Sequence, residues 1–184
     1  RYNGELFPGV NYRMNEISGA ILRVQLKRLD GLISKMKYNK TRIKNAISNI
    51  SGLEFRRLND TVGDTGLVLI FFLHDHNITG RFANALKAEG IAASSMHDKS
   101  VPDWHIYSHW EMILNKWTVT KEGCPYTCDY YLKKGGNVQY SIDMNPNTLQ
   151  YLQRSIHIDI PPQMTEADCD MIADGVHKVA NAYL

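Results

Sequence analysis

The sequence of 184 residues predicts an α/β chain of the α+β kind, a long helical stretch leading into a small sheet packed with helices. Three observations predict it. Apolar residues recur at helical spacing from about residue 14 to residue 50. Residues 67–96 run strand, helix, glycine, strand, and residues 154–184 run strand, then helix. The reading divides the chain into residues 1–50, an arm with long interdomain helices, and residues 51–184, a small α/β domain.

Residues 1–10 read as an irregular arm broken by Gly4, Pro8 and Gly9. A polar turn carrying Asn11, Tyr12 and Arg13 follows. Asn15 is positioned to cap the next helix, because its side-chain oxygen can accept from free first-turn amides. Met14, Ile17, Ile21, Val24 and Leu29 share one face of that helix, while Arg23, Lys27 and Arg28 point elsewhere. The pattern continues through Leu32, Ile33, Met36, Ile43, Ala46, Ile47 and Ile50, with Gly31 as a bend and Gly52 as the C-cap. The basic face of residues 35–49 reads as a solvated helix surface rather than an anion site.

Residues 53–58 alternate like a short strand, and residues 59–66 form a polar loop. Residues 67–73 are too apolar for a strand with a wet face. A helix over residues 77–89 is predicted with Asn77 or Thr79 as cap and Gly90 as stop, then a strand over 91–96. Residues 127–146, rich in Tyr, Gly and Asn, read as a loop, and 147–153 as a short helix. Ile156, Ile158 and Ile160 alternate with His157 and Asp159 in a half-exposed strand ended by proline. Thr165, Glu166 and Asp168 open the last helix, whose buried side is Met171, Ile172, Val176, Val179 and Ala180.

Composition narrows the function. The net charge is +2 with both signs mixed, which argues against a nucleic-acid face. No apolar run is long enough to span a bilayer. Three cysteines, an odd count, point to reduced thiols and a cytoplasmic setting. Residues 96–126 are unusual. His97, His105 and His109 lie close to Trp104, Trp110 and Tyr107. His105 and His109 are four apart, as are Cys124 and Cys128. Aromatic packing, a substrate wall of stacking rings and imidazole donors, and a zinc site all fit this composition, although the spacing is not that of a structural zinc site. His74 and His76 read as a polar strand end. Asn11 and Arg13 beside a helix start suit a phosphate or carboxylate, or simply close a turn. Arg154 either meets a carboxylate or phosphate or is a plain surface arginine.

The order Gly9-Val-Asn-Tyr-Arg-Met, then Glu16-Ile-Ser-Gly-Ala-Ile, then Gln25-Leu-Lys-Arg-Leu-Asp resembles the Gly-x-Asn-Tyr-Arg-Met…Ala-Ala…Gln-Leu-x-x-Leu-Asp signature of the DegT/StrS family. These are pyridoxal-phosphate sugar aminotransferases of fold type I. The resemblance is strong to about Leu32 and looser after it, where the family places an Arg-x-Leu-x-Leu-Pro strand at the position of Arg154 and the strand that follows. It implies a small, mainly antiparallel sheet packed with helices, and pyridoxal 5′-phosphate as cofactor. It implies a keto sugar, nucleotide-linked, as substrate and an amino acid as donor. It places Asn11 at the cofactor phosphate of a neighbouring subunit, with Arg13 beside it and Tyr12 near the substrate. His97, His105, Tyr107 and Arg154 are the further substrate-side candidates.

The family's cofactor lysine lies upstream of this motif, whereas the first lysine here, Lys27, follows it. The resemblance therefore implies a C-terminal half, inactive alone, working as a homodimer or with a lysine-bearing partner chain, and with neither nucleic acid nor membrane as partner. The family's His-x-x-x-x-Tyr segment is divergent here, with Trp104, Trp110 and Trp117 added. A non-catalytic sugar- or nucleotide-binding module is the competing reading.

Overall fold

The computed structural model describes residues 14–96 and 103–184. Helix α1 spans Glu16–Ala46 without a break at Gly31. Asn15 caps it as expected, its Oδ1 accepting from the Ser18 N–H at 2.8 Å. The helix stops earlier than the sequence pattern predicts. Ile47 is its C-cap, and Gly52, at φ +92°, instead serves the turn into the first strand. The left-handed conformation there suits glycine, which lacks the Cβ that penalises it.

Strands β1 (Leu53–Phe55), β2 (Val68–Leu73), β3 (Ala93–Ser94) and β4 (Ser155–Asp159) form one sheet in the order β1-β2-β4-β3, antiparallel throughout. The last strand in sequence thus enters the middle of the sheet. It pairs Ile156 with Phe71 and Ile158 with Leu69 on one side, and Ile158 with Ala93 on the other. The predicted strands over 53–58 and 91–96 are real but shorter. Neither has a partner strand along its whole length, and pairing rather than propensity sets a strand's end.

Helix α2 spans His76–Ala88. Its cap is Asp75, not Asn77 or Thr79, because the Asp75 carboxylate already takes the Asn77 N–H at 2.8 Å. Thr79 is instead buried on the inner face of the helix. Between β3 and β4 the described chain forms a 3₁₀ turn at Tyr107–His109 and the short helices α3 (Glu111–Leu114) and α4 (Asp129–Lys133). Helix α5 (Pro146–Arg154) follows. Part of the predicted loop is therefore helical. Helix α6 spans Glu166–Tyr183 and starts with a capping box, in which Thr165 and Asp168 bond each other's backbone N–H.

The core lies on one face of the sheet. Leu69, Phe71, Leu73, Ile156 and Ile158 point into it and meet Phe82, Leu86, Val176, Ile43 and Ile47 from the helices. Phe71 stacks edge-on against both Phe55 and Phe82, with centroids 6.4 and 6.3 Å apart. Only the second half of α1 joins this packing. Asn39, almost wholly buried, donates from Nδ2 to the Met164 carbonyl at 3.0 Å, and Lys40 pairs with Asp64 at 2.7 Å. The first half is different. Met14, Ile17, Ile21, Leu22, Val24, Leu26 and Leu29 are exposed, Ile17 by 75%. An apolar stripe this long is not a normal free surface.

Cys124 and Cys128 are joined in a disulfide, and Cys169 is free and buried. This corrects the expectation of three reduced thiols. One thiol is left over, and the turn in which the Tyr126 and Thr127 N–H groups donate to the Gly123 carbonyl brings the other two within bonding reach. Among the described residues no helix is long and apolar enough to cross a membrane.

Candidate functional site

Strand alternation gives the sheet a second face, away from the core. Glu54 and Ser155 flank Phe72 there, and Ile70 and Ser94 flank His157. Arg154, the last residue of α5, leans over this face. Its guanidinium carbon lies 5.9 Å from the Phe72 ring centroid and 5.5 Å from that of Tyr151, and those two rings meet edge-on at 5.3 Å. It donates to the Leu73 carbonyl at 3.2 Å and stands 3.9 Å from the Glu54 carboxylate. Its Nε is shielded from solvent and finds no acceptor among the described residues. Arg154 is thus a held cation with donor capacity to spare, not a free surface arginine.

His157 sits mid-strand beside it. Burial holds its pKa below the ordinary 6.5, helped by Arg56 and opposed by Asp159 and Asp103, so the imidazole is neutral at pH 7. The influence of Asp103 brings the loop after β3 into the same field. The Asp103 carboxylate accepts from the His105 N–H and meets its Nδ1, both at 2.8 Å. The first of these bonds is the main reason its pKa lies below the usual carboxylate value. His109 Nδ1 accepts from the Asp103 N–H at 2.9 Å.

The candidates drawn from the sequence are dispersed by the fold. Arg154 stands on the outer sheet face. The His105 side chain is mostly solvent-exposed, on a loop that Asp103 organises. The Tyr107 hydroxyl bonds the Ile142 carbonyl and takes the Asn145 N–H at 3.1 Å, so its polar end is spent on holding the chain before α5. Asn11, Tyr12, Arg13 and His97 lie outside the described residues. Glu54, Tyr151, Asp103 and His157 were not among the candidates. For His157 the signal was present, because a polar residue between Ile156 and Ile158 must face away from the core.

The zinc alternative loses its thiolates, since Cys124 and Cys128 are bonded to each other. The basic face of α1 is engaged. Lys37 donates to the Val62 carbonyl, Lys40 to Asp64 and Arg42 to Asp170, and Lys44 lies 5.2 Å from the Phe55 ring centroid. Asp170 is therefore the ion-pair partner of Arg42, and the Asp168 carboxylate closes the capping box by accepting from the Thr165 N–H.

The architecture has known counterparts. A model of the DegT/DnrJ/EryC1/StrS aminotransferase family matches residues 1–130, most of the sequence. This chain belongs to that family. Solved structures share its fold at low identity. It is 16% identical to the putative sugar aminotransferase Spr1654 from Streptococcus pneumoniae in its PMP form, with a TM-score of 0.63, over 93% of this chain and 36% of that one. For Helicobacter pylori PseC, an aminotransferase of pseudoaminic acid biosynthesis, the values are 17%, 0.61, 99% and 42%. For the sugar aminotransferase CalS13 from Micromonospora echinospora they are 19%, 0.58, 92% and 37%. The chain spans less than half the length of each of these structures.

Pyridoxal phosphate, the cofactor named for this family, needs a free lysine, an acid for its ring nitrogen and a phosphate anchor. The described residues do not supply that set. The groove beside Lys40, Lys44, Phe55 and Arg56 carries two lysines, but Asp64 engages one and the other lies over Phe55. The outer sheet face offers recognition chemistry instead: a fixed guanidinium, neutral imidazole, carboxylates and aromatic rings. Groups of these kinds hydrogen-bond, pair and stack with anionic or hydroxylated molecules and make no covalent bond to them.

Proposed function

We propose that this chain is the C-terminal portion of a pyridoxal-phosphate-dependent aminotransferase that converts a nucleotide-linked keto sugar to an amino sugar, with an amino acid as donor. The observation that carries the proposal is the end-to-end match of its fold to less than half of several sugar aminotransferases. In this reading residues 1–50 link the two parts of the enzyme, and residues 51–184 form the small domain. The exposed apolar half of α1 packs on the lysine-bearing portion or partner, within a homodimer in the cytoplasm. Asn11 and Arg13 hold the cofactor phosphate, with Tyr12 beside them and His97 on the substrate side. Arg154, held by Phe72, Tyr151 and the Leu73 carbonyl, presents a cation to a phosphate or carboxylate of the substrate. His157, neutral at pH 7, is a hydrogen-bonding partner for a sugar hydroxyl. The cofactor, when bound, supplies the electron sink for amine transfer.

The test is transamination of a nucleotide-linked keto sugar with glutamate and added cofactor. This chain alone should show none. The same chain joined to the lysine-bearing portion should turn over. Turnover by the chain alone refutes the proposal.

A second reading is a sugar- or nucleotide-binding module without catalysis. It is favoured by the outer sheet face, which has recognition groups but no covalent set. Sugar-nucleotide binding without turnover in the joined protein would select it.

A further inference from the structure

We propose that Cys124 and Cys128 form a reversible thiol–disulfide site that clamps residues 103–145. Four observations carry this. First, the bridge joins residues only four apart. A disulfide restrains the unfolded chain less the shorter its loop, so this one adds little to the stability of the whole fold. Second, neither cysteine belongs to the main cluster of core side chains between sheet and helices, which contains Cys169 instead; Cys128 is buried apart from it. The bridge therefore acts on its own surroundings.

Third, those surroundings hang together through contacts that start at the bridge. Cys128 is the N-cap residue of α4, and two residues into that helix's turn Tyr131 takes the Val138 N–H at 3.1 Å. Gly136 lies so close to the Tyr131 ring that a Cβ there would come within 2.3 Å of it. Tyr126, inside the bridged loop, meets Tyr140 edge-on at 6.2 Å. From Tyr140 the chain runs directly to Ile142 and Asn145, which the Tyr107 hydroxyl ties to the 3₁₀ turn. Fourth, the two cysteine residues differ in exposure. Cys124 is half-buried, whereas Cys128 is buried. An incoming thiolate reaches Cys124 first.

The reaction is an ordinary exchange with a dithiol reductant. Its thiolate attacks Cys124 Sγ, the Sγ–Sγ bond breaks, and Cys128 leaves as a thiolate that takes up a proton. The reductant's second thiol then displaces Cys124, which also takes up a proton. Two electrons and two protons pass to the protein, and the reductant becomes a disulfide. Reduction frees α4 from the 124–128 loop and loosens the path through Tyr131, Tyr126 and Tyr140. The core is untouched. Oxidised glutathione reverses the step.

All three tryptophans of the sequence, Trp104, Trp110 and Trp117, lie in the clamped segment, so their fluorescence reports on it and not on the core. The experiment equilibrates the protein in oxidised glutathione or in dithiothreitol. It then reads thiol alkylation by mass, tryptophan fluorescence, and proteolysis within residues 103–145. Oxidised protein should protect Cys124 and Cys128 from alkylation. Reduction should expose both, shift the emission, and speed cleavage in the segment about tenfold or more, as expected when local opening becomes easier. The Cys124→Ser/Cys128→Ser variant should match reduced protein and ignore dithiothreitol. Alkylation of both cysteines in oxidised glutathione overturns the proposal. So does an intact bridge whose reduction changes neither emission nor cleavage. None of these readouts depends on transamination.

Discussion

Arg42 donates two parallel hydrogen bonds of 2.8 Å to Asp170, one to each carboxylate oxygen. Arg42 lies on α1 and Asp170 on α6, so this fork helps fix the long helix to the last one. It raises the arginine pKa and lowers that of the aspartate. The pair is exposed, so its contribution is small and screened by salt. In a double-mutant cycle with Arg42→Met and Asp170→Asn, the coupling measured by urea denaturation should be favourable at low salt. It should shrink towards zero in molar sodium chloride.

Phe71 is fully buried at the centre of the sheet. Truncating a buried aromatic removes its transfer energy and leaves a cavity, so Phe71→Ala should cost about 3–5 kcal/mol. Chemical denaturation checks this. A loss below about 1 kcal/mol would mean that the core is not packed as described.

Ile17 and Ile21 sit on the exposed half of α1. Replacing both with Gln should change the stability of this chain by no more than about 0.5 kcal/mol, as surface substitutions do. In the joined enzyme the same change should weaken association or lower the melting temperature. Equal tolerance in both proteins would show that nothing covers the stripe.

Arg154 makes one backbone hydrogen bond and two cation–ring contacts. Arg154→Ala should cost about 1–3 kcal/mol, from the lost hydrogen bond and the loss of ring contacts. Arg154→Lys should recover part of the stability but not the fork that a phosphate or carboxylate would use. Thermal unfolding measures the first effect, and calorimetric titration with a sugar nucleotide the second.

His157 gives the fold a pH dependence with a definite sign. Its folded pKa is below 6.5, so the unfolded chain takes up the proton first as the pH falls. Stability is therefore full above 6.5 and declines as the pH drops towards the lower folded value. Asp75, Asp103, Asp168 and Asp170 have folded values below 3.8. Their contributions hold above 3.8 and are lost only below it. Denaturation midpoints between about pH 5 and pH 8 should fall on the acid side for the parent and flatten for His157→Gln.

The parts of the fold legible in the sequence were those with strong periodicity and local caps. Asn15 and Thr165 carry their own hydrogen-bond acceptors, and the apolar run over residues 67–73 reads as a buried strand, formed over Val68–Leu73 with Leu67 exposed. The site was less legible. Arg154 was visible as a candidate, but its role depends on Tyr151, three residues away on α5, and on Phe72, brought from a distant strand. His157 was visible as a polar residue in an apolar strand, but not as a neighbour of Asp103.

By itself the sequence determined the starts of α1 and α6, the buried strand and the family signature around Asn11, because period and capping are properties of neighbouring residues; the predicted buried side of α6 held for Val176, Val179 and Ala180, whereas Met171 is exposed. Only the tertiary structure decided that β4 lies between β2 and β3, that Cys124 bonds Cys128, that Asp75 and not Asn77 caps α2, and that half of α1 is left uncovered. Each of these depends on which competing partner reaches a group first in space, and residue spacing along the chain does not contain that information.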